Sequence, residues 1–250
     1  MTILKYRSRA ALAGAALVLL LAPAGPLRAN STVAPPPATD GACDEVGFTR
    51  GDYLGDRSKL KVVEDFHFKP HTENLIRRRG DSTQSIGADL AYTLRSFPNH
   101  HRALNSMMRL AERSGREQPE GSDRPVECYL RRAVRFRSDD TVARMLYVTY
   151  LIKKARKDEA MVQLAAVEEN AQDNAFSLYN AGLLYADMQE WALALSMAHR
   201  AMALEFPRTE LRDRLVKAGQ WQEPVPEAAA AAASAASQPA SASSGPVGSN

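Results

Sequence analysis

The sequence contains few cysteines and few aromatic residues. Its 250 residues include only two cysteines and two tryptophans, and aromatic residues make up 7% of the chain. Two thiols cannot build a disulfide-stapled miniprotein or a four-cysteine zinc site. Hydrophobic residues account for 45% of the chain and charged residues for 24%, which is ordinary for a soluble globular protein and excludes disorder throughout.

The chain also lacks a large charge of one sign. Its 32 Lys and Arg residues against 29 Asp and Glu residues give a net charge of +3. Four of the cations, Lys5, Arg7, Arg9 and Arg28, lie in residues 1–29, which contain no acidic residue, so the rest of the chain carries −1. Because binding to nucleic acid depends on many cations that neutralise phosphates, the composition gives no electrostatic basis for a nucleic acid partner.

Residues 1–29 have the pattern of a secretory signal peptide. A cationic start through Arg9 precedes an apolar run over Ala10–Ala22, which small residues and prolines follow. Cleavage after Ala24 or after Ala29 fits the pattern; retention as an anchor stays open, although the run is shorter than the ~20 residues of a spanning helix. We expect an exported protein, periplasmic or secreted in a bacterial envelope, with no stable membrane span after cleavage.

Two further segments lack the residues that a core requires. Residues 30–42 contain three consecutive prolines, Pro35–Pro37, and are predicted to form an extended spacer. Residues 222–250 are rich in Ala, Ser, Pro and Gly, contain the six alanines of Ala228–Ala233 and have no aromatic residue. Such a segment cannot bury enough apolar surface to offset its ordering entropy, so we predict a disordered tail.

Between these ends the sequence repeats itself at a distance of 34 residues. Small or apolar residues recur at this spacing, at positions where two packed helices would touch. The earliest copy is shifted, because its first helix aligns at a distance of 41 and residues 115–124 supply a polar, turn-forming insertion. Pairs at the distance of 34 are Ala160 with Ala194, Leu164 with Ala198, Val167 with Ala201, Val148 with Gly182 and Leu151 with Tyr185.

This pattern resembles the tetratricopeptide repeat family. The unit at 175–208 matches the family motif best, although Leu178 replaces the usual Trp and Pro207 comes one residue late. The unit at 141–174 is degenerate, since Val148 replaces the motif glycine and the closing proline is missing. The unit at 100–140 is recognisable mainly because its residues align with those of the two later units. The matching residues of the last unit are Leu178, Ala181, Gly182, Tyr185, Ala194, Ala198 and Ala201.

The resemblance implies an all-α fold in which helical hairpins stack as an α-solenoid. Gly182 and Ala194 would be small because the two helices of one hairpin cross there. The repeat domain would cover residues 87–221, with a capping helix over Gly87–Phe97 before the units and another at 209–221 after them. In the last helix, Leu211, Leu215 and Val216 are expected to face inward and Gly219 to stop the helix.

Residues 43–86 fit the repeat poorly and are predicted to be an irregular N-terminal segment. Lys61–Phe68 mixes Val and Phe in a way that suits a short strand or irregular packing, and Pro70–Arg79 suits one helix that begins at the proline. The segment has no role in the expected repeat.

In the family, the first helix of each unit lines a concave surface. The resemblance therefore implies a largely apolar groove that takes an apolar or amphipathic protein or peptide. Met145 and Thr149 stand where a carboxylate clamp would need Lys and Asn, and only Asn180 fits such a clamp. The alternative is that the N-terminal segment or the tail fills the groove. The expected groove residues are His101, Leu104, Asn105, Met108, Met145, Thr149, Ile152, Phe176, Tyr179, Asn180 and Leu183.

Cys43 and Cys128 are the only thiols. In an exported protein such a pair is expected to oxidise, and the bridge would stabilise the fold by about 3 to 4 kcal/mol because it closes a long loop. Two buried, unpaired thiols are the alternative.

The five histidines do not form a recognisable metal motif. His67 and His71 have i, i+4 spacing, but Pro70 lies between them and argues against one continuous helix. His100 and His101 follow Asn99, which is a natural helix cap. No catalytic constellation and no glycine-rich phosphate loop is present, so we expect no cofactor, no metal site and no enzymatic activity.

The sequence thus favours an exported scaffold or adaptor that binds a protein or peptide. An enzyme that uses the histidine-containing N-terminal segment and a structural tether to the envelope remain alternatives. The oligomeric state stays open.

Overall fold

The structure is a computed structural model, and it describes Cys43, residues 49–76 and residues 86–224. All of these described residues fall within one compact unit. The predicted signal peptide at 1–29, the spacer at 30–42 and the tail beyond Pro224 lie outside the described residues.

The described ranges contain helices and no strand, so the all-α prediction is confirmed at this level. None of these helices combines the length and the apolar character that crossing a bilayer requires. The helices are α1 (Arg57–His67), α2 (Pro70–Glu73), α3 (Ile86–Ser96), α4 (His101–Ser114), α5 (Val126–Phe136), α6 (Thr141–Lys153), α7 (Lys157–Ala171), α8 (Ala175–Asp187), α9 (Trp191–Ala203) and α10 (Glu210–Lys217).

Each of the three predicted units contains two helices. The pairs are α4 with α5, α6 with α7, and α8 with α9, and the insertion at 115–124 lies between α4 and α5. Side-chain caps define where two of the first helices begin. Asp140 accepts a hydrogen bond from the Ala143 amide (3.0 Å), and Asn174 accepts one from the Ser177 amide (2.9 Å).

Consecutive helices pack against each other from α2 to α10. The first helices of the units also contact one another, because α6 packs against both α4 and α8, and α8 packs in turn against the flanking helix α10. In the described part of the chain, no comparable packing joins α5 to α7 or α7 to α9. The first helices therefore form a continuous row, whereas the second helices do not.

Small residues allow this close packing. Ala160 and Ala194 are fully buried, and Ala201 is 2% exposed. A Cβ atom at Gly182 would lie 3.0 Å from Met197 Cβ and closer still to Leu211 Cδ2. The recurring small side chains thus lie at helix crossings, as the sequence predicts.

The two flanking helices were predicted well, with one error. α3 begins and ends within one residue of the expected helix, and α10 lies inside 209–221 with Leu211 and Leu215 buried. Val216 was expected to face inward, but it is 52% exposed. The reason is that α10 packs mainly on α8 and α9 among the described helices, so one narrow face of the helix suffices to cover them.

The prediction for the N-terminal segment was wrong over Lys61–Phe68. This stretch is mostly helical, because Leu60 and Val63 are one turn apart on α1 and pack on Phe97. Pro70 does begin a helix, but α2 ends at Glu73 instead of continuing. Leu75 beyond it adopts a left-handed backbone conformation (φ 58°), which no α-helix continues.

Candidate partner-binding face

The structure places the eleven expected groove residues on three neighbouring helices. They come from α4, α6 and α8, and α6 packs against the other two. The members are His101, Leu104, Asn105 and Met108 on α4, Met145, Thr149 and Ile152 on α6, and Phe176, Tyr179, Asn180 and Leu183 on α8.

Four of these residues do not line a surface. Leu104, Met108, Met145 and Tyr179 are only 1%, 4%, 7% and 4% exposed and belong to the main hydrophobic core. The expectation that they contact a partner is corrected for this conformation. The physical reason is that these side chains pack into the core between helices, where successive first helices touch each other directly. The Tyr179 ring also packs against Phe206, in the segment between α9 and α10 (4.9 Å between ring centroids).

Seven residues of the set remain at least partly accessible. One of them, His101, belongs to the polar network described below. The other six define what we call the inner face: Asn105, Thr149, Ile152, Phe176, Asn180 and Leu183. Phe176 is its most prominent apolar member, with 52% of its surface exposed.

The polar groups of the inner face are partly engaged by their own helices. The Thr149 hydroxyl donates to the Met145 carbonyl (2.9 Å), and the Asn180 amide donates to the Phe176 carbonyl (2.7 Å). Asn180, the one residue that fits a carboxylate clamp, therefore already has a backbone acceptor. The surface that a partner can still contact is therefore mainly apolar and comes from Ile152, Phe176 and Leu183.

His101 belongs to a polar network beside this face. Its Nε2 atom lies 2.8 Å from both oxygens of Asp140, whose side chain is 1% exposed. Burial alone would raise the pKa of Asp140, but hydrogen bonds from His101, the Ala143 amide and Asn99 hold that pKa below its usual value. Asp140 is therefore a carboxylate that caps α6 and accepts from His101 at the same time.

Asn99 is the centre of this network and was not recognised from the sequence. Its side-chain oxygen accepts from the Tyr53 amide (3.1 Å), and its NH₂ group donates to Asp52 (2.8 Å) and to Asp140 (3.0 Å). Arg137 forms an ion pair with Asp52. The expected role of Asn99 as a helix cap was wrong, because its hydrogen bonds go instead to the segment before α1 and to the start of α6.

His100 takes the capping role at the start of α4. Its Nδ1 atom accepts from the Ala103 amide (3.1 Å), and its Nε2 atom lies 3.2 Å from Glu64 Oε1. Burial lowers the pKa of this fully buried imidazole to about 3, so the ring is neutral at physiological pH. With Nδ1 as an acceptor, the proton sits on Nε2 and is donated to Glu64.

The histidines of the N-terminal segment do not converge on a common centre. His67 ends α1, pairs with Asp89 (3.0 Å) and stacks on Tyr92, whereas His71 lies on α2 beyond Pro70. Within the described ranges, no group of three or more His, Cys, Asp or Glu side chains is placed to hold a metal ion.

The structure contains the disulfide that the two cysteines suggested. Cys43 is bonded to Cys128; their Cα atoms are 5.0 Å apart, and the two residues are 85 positions apart in sequence. Cys128 lies on α5 and is buried, so the bond attaches the start of the N-terminal segment to the second helix of the first unit.

Comparison with known proteins gives no relative for this chain. No protein-family model matches it, and neither a curated protein nor a solved structure matches significantly. The functional argument therefore depends on the residues and contacts described above.

Proposed function

We propose that this chain is a tetratricopeptide-type solenoid whose inner face binds an apolar or amphipathic segment of another protein. The proposal assigns it the role of a scaffold or adaptor and no catalytic activity. It is supported by the repeat pattern in the sequence, by the packing of the first helices and by the exposed apolar surface on them.

The packing of the helices supports a stack that is concave on the side of the first helices. α6 touches α4 and α8, and α8 touches α10, whereas the described second helices lack comparable contacts with each other. A stack bends toward the side on which its successive layers are closest. The row of first helices would therefore lie on the inside of the curve and the second helices on the outside.

The exposed ring of Phe176 is the observation that carries the proposal. Phe176 is 52% exposed on α8, and Ile152 on α6 and Leu183 on α8 are partly buried members of the same set. Aromatic side chains are enriched among the anchors of protein interfaces, where they supply large contact areas at low entropic cost. A partner that covers Phe176 would bury this apolar surface.

The charges at one end of the first helices are already paired with each other. Lys153 on α6 forms an ion pair with Glu112 on α4, and Arg214 on α10 pairs with Asp187 on α8 (2.5 Å). Each pair neutralises its two charges, so these four side chains offer no unpaired charge to an acidic or basic ligand. The pairing is compatible with an apolar or amphipathic partner.

The disulfide supports residence in an oxidising compartment. Disulfides persist in exported proteins and are rare in reducing cytosol. Together with the signal-like residues 1–29, the bond between Cys43 and Cys128 leads us to propose that the chain acts outside the cytoplasm, in the bacterial envelope or beyond it.

Site-specific photocrosslinking in cells that express the chain tests the proposal. A photoreactive phenylalanine analogue is placed at Phe176 or at Ile152 on the inner face, and at Val162 on α7 as the matched control, since Val162 is also apolar and 42% exposed. We expect both inner positions to capture the same protein and Val162 not to capture it.

A second variant makes the result quantitative. Phe176→Ser combined with the probe at Ile152 should lower the adduct at least fivefold, because interface anchors typically contribute ~1 kcal/mol or more. Two results would reject the inner face as the binding site. One is an equal yield of the same adduct at Val162, and the other is an adduct yield at Ile152 that Phe176→Ser does not change.

A further inference from the structure

A cavity of about 300 Å³ lies between α8, α9 and α10. Its volume is at the lower end of the range that is typical of ligand-binding pockets, so it suits a small molecule. Part of the wall is apolar and comes from Met202 on α9 and from Phe206 in the segment that follows. Glu205, Arg208 and Arg212 also line the cavity. It therefore combines an apolar wall with charges of both signs.

Tyr179 on α8 brings a hydroxyl without a partner to this cavity. The residue is part of the lining, and its ring packs on Phe206 (4.9 Å between ring centroids). Although Tyr179 is only 4% exposed, its hydroxyl has no hydrogen-bond partner among the described residues. Tyr185 on the same helix, in contrast, donates its hydroxyl to Glu168. Because a buried polar group without a partner costs free energy, a ligand that supplies an acceptor to Tyr179 would bind more tightly.

Two opposite charges of the lining are available to a ligand. Glu205 and Arg208 are both exposed, and neither takes part in an ion pair within the described ranges. Arg212 is occupied, since Glu223 pairs with it (3.3 Å) and its Cζ atom lies 5.1 Å from the centroid of the Trp221 ring. A molecule in the cavity therefore meets one carboxylate and one guanidinium that are not yet paired.

The start of α10 adds groups that favour an anion. Leu211 lines the cavity and lies in the first turn, where the backbone N–H groups have no acceptor within the helix. Thr209 does not cap these groups with its side chain, and its hydroxyl donates instead to Asp213 (3.1 Å). The other first-turn carboxylate, Glu210, is not among the residues that line the cavity. The positive end of the helix dipole thus adds to the charge of Arg208.

We propose that this cavity, independently of the inner face, binds a free α-amino acid with an apolar side chain. The α-carboxylate pairs with Arg208 at the positive end of α10, and the α-ammonium group pairs with Glu205. The apolar side chain packs on Met202 and Phe206, and the Tyr179 hydroxyl donates to the carboxylate. A zwitterion satisfies both charges at once, whereas the end of a peptide carries only one of them.

Methyl NMR of the full-length chain tests the site. In protein with methyl-labelled methionine, L-phenylalanine should shift the Met202 signal saturably, with a Kd of about 1 mM or below for a ligand of this size. Loss of the signal in Met202→Leu assigns it. N-acetyl-L-phenylalanine lacks the ammonium group and L-phenylalaninamide lacks the carboxylate, so each should bind at least about fivefold more weakly.

Two charge variants separate the roles of the rim residues. Arg208→Gln should weaken the binding of L-phenylalanine and of the acetylated analogue about fivefold and leave that of the amide unchanged. Glu205→Gln should weaken the binding of L-phenylalanine and of the amide by a similar factor and leave that of the acetylated analogue unchanged. Lys217→Gln, which removes an exposed cation at the other end of α10, is the matched control and should change none of these values.

A pair of tyrosine variants tests the hydroxyl. Tyr179→Phe should weaken the binding of L-phenylalanine about fivefold without lowering the Tm of the free protein, because its hydroxyl has no described partner to lose. Tyr185→Phe removes a hydroxyl that is bonded to Glu168 and should do the opposite: it should lower the Tm and leave the Kd unchanged.

Three results would overturn the proposal. The first is the lack of a saturable shift with either L-phenylalanine or L-leucine at about ten times the expected Kd. The second is an analogue that binds as tightly as L-phenylalanine, since one charge would then suffice. The third is a Kd that stays the same in Arg208→Gln, Glu205→Gln and Tyr179→Phe. None of these results bears on the binding of a partner at the inner face.

Discussion

The residues that hold the N-terminal segment in place could not be predicted from the sequence. The sequence predicts that Asn99 is a local helix cap. In the structure its hydrogen bonds reach Tyr53 (46 positions away), Asp52 (47 positions away) and Asp140 (41 positions away). No local pattern marks such a residue, because its partners come from the segment before α1 and from the start of α6, which are brought together by the tertiary fold. The role of His100 as the true cap was missed for the same reason: His is an unusual cap, and burial makes it neutral.

The buried His100 predicts a specific loss of stability in acid. Its pKa is about 3 in the folded state and near 6.5 in the unfolded chain, so the unfolded state binds more protons between these values. Its contribution is complete above pH 6.5 and falls as the pH drops toward 3. Between pH 7.5 and pH 5 the free energy of unfolding should decrease by about 2 kcal/mol through this residue alone.

Denaturant titration at the two pH values measures this effect. His100→Asn, which keeps a capping oxygen, should remove about 2 kcal/mol of the pH dependence. The assignment of a neutral, buried His100 is wrong if this variant shows the same pH dependence as the parent protein.

At the scale of helices, the periodic small residues predicted the helices of the repeat units correctly, whereas the mixed apolar run before them did not reveal its helix. The three hairpins were predicted because Ala and Gly recur where helices cross, and that pattern is local in sequence. α1 was missed because Val62 and Phe66, 58% and 68% exposed, obscure the spacing of the buried Leu60 and Val63. The groove was predicted only in part, since the sequence does not show which side of a first helix its neighbour covers.

Gly182→Ala should destabilise the last hairpin. The added methyl group would press against Met197 on α9 and Leu211 on α10, and overpacking of this kind costs about 1 to 3 kcal/mol. Gly55→Ala is the matched control, because its Cβ would meet only Asp52 Oδ2 at an ordinary 3.9 Å. Thermal unfolding should show a lower Tm for the first variant; equal Tm values would mean that the helices do not approach closely at Gly182.

At the scale of the whole molecule, the disulfide and the Asn99 network join the N-terminal segment to the helical units. Both attach residues near the start of the described chain to α4, α5 and α6. The sequence indicated the bond, since two thiols allow one pairing, but it gave no sign of the network that accompanies it.

Removal of the disulfide should lower the free energy of unfolding by about 4 kcal/mol, because the bond closes a loop of 85 positions in the unfolded chain. Cys43→Ser combined with Cys128→Ala measures this in denaturant, and the reduced parent protein is the control that should unfold at the same concentration. A loss below about 1 kcal/mol would show that the bond contributes little to the fold.

Pulsed electron spin resonance between paired spin labels tests the central claim, that first helices form the inner side of a curved stack. Asn105→Cys with Asn180→Cys reports on first helices two units apart, and Arg135→Cys with Ala203→Cys reports on second helices at matching, exposed positions. The native cysteines are bonded and take no label. The account predicts a clearly shorter distance for the first pair; an equal or longer distance would contradict it.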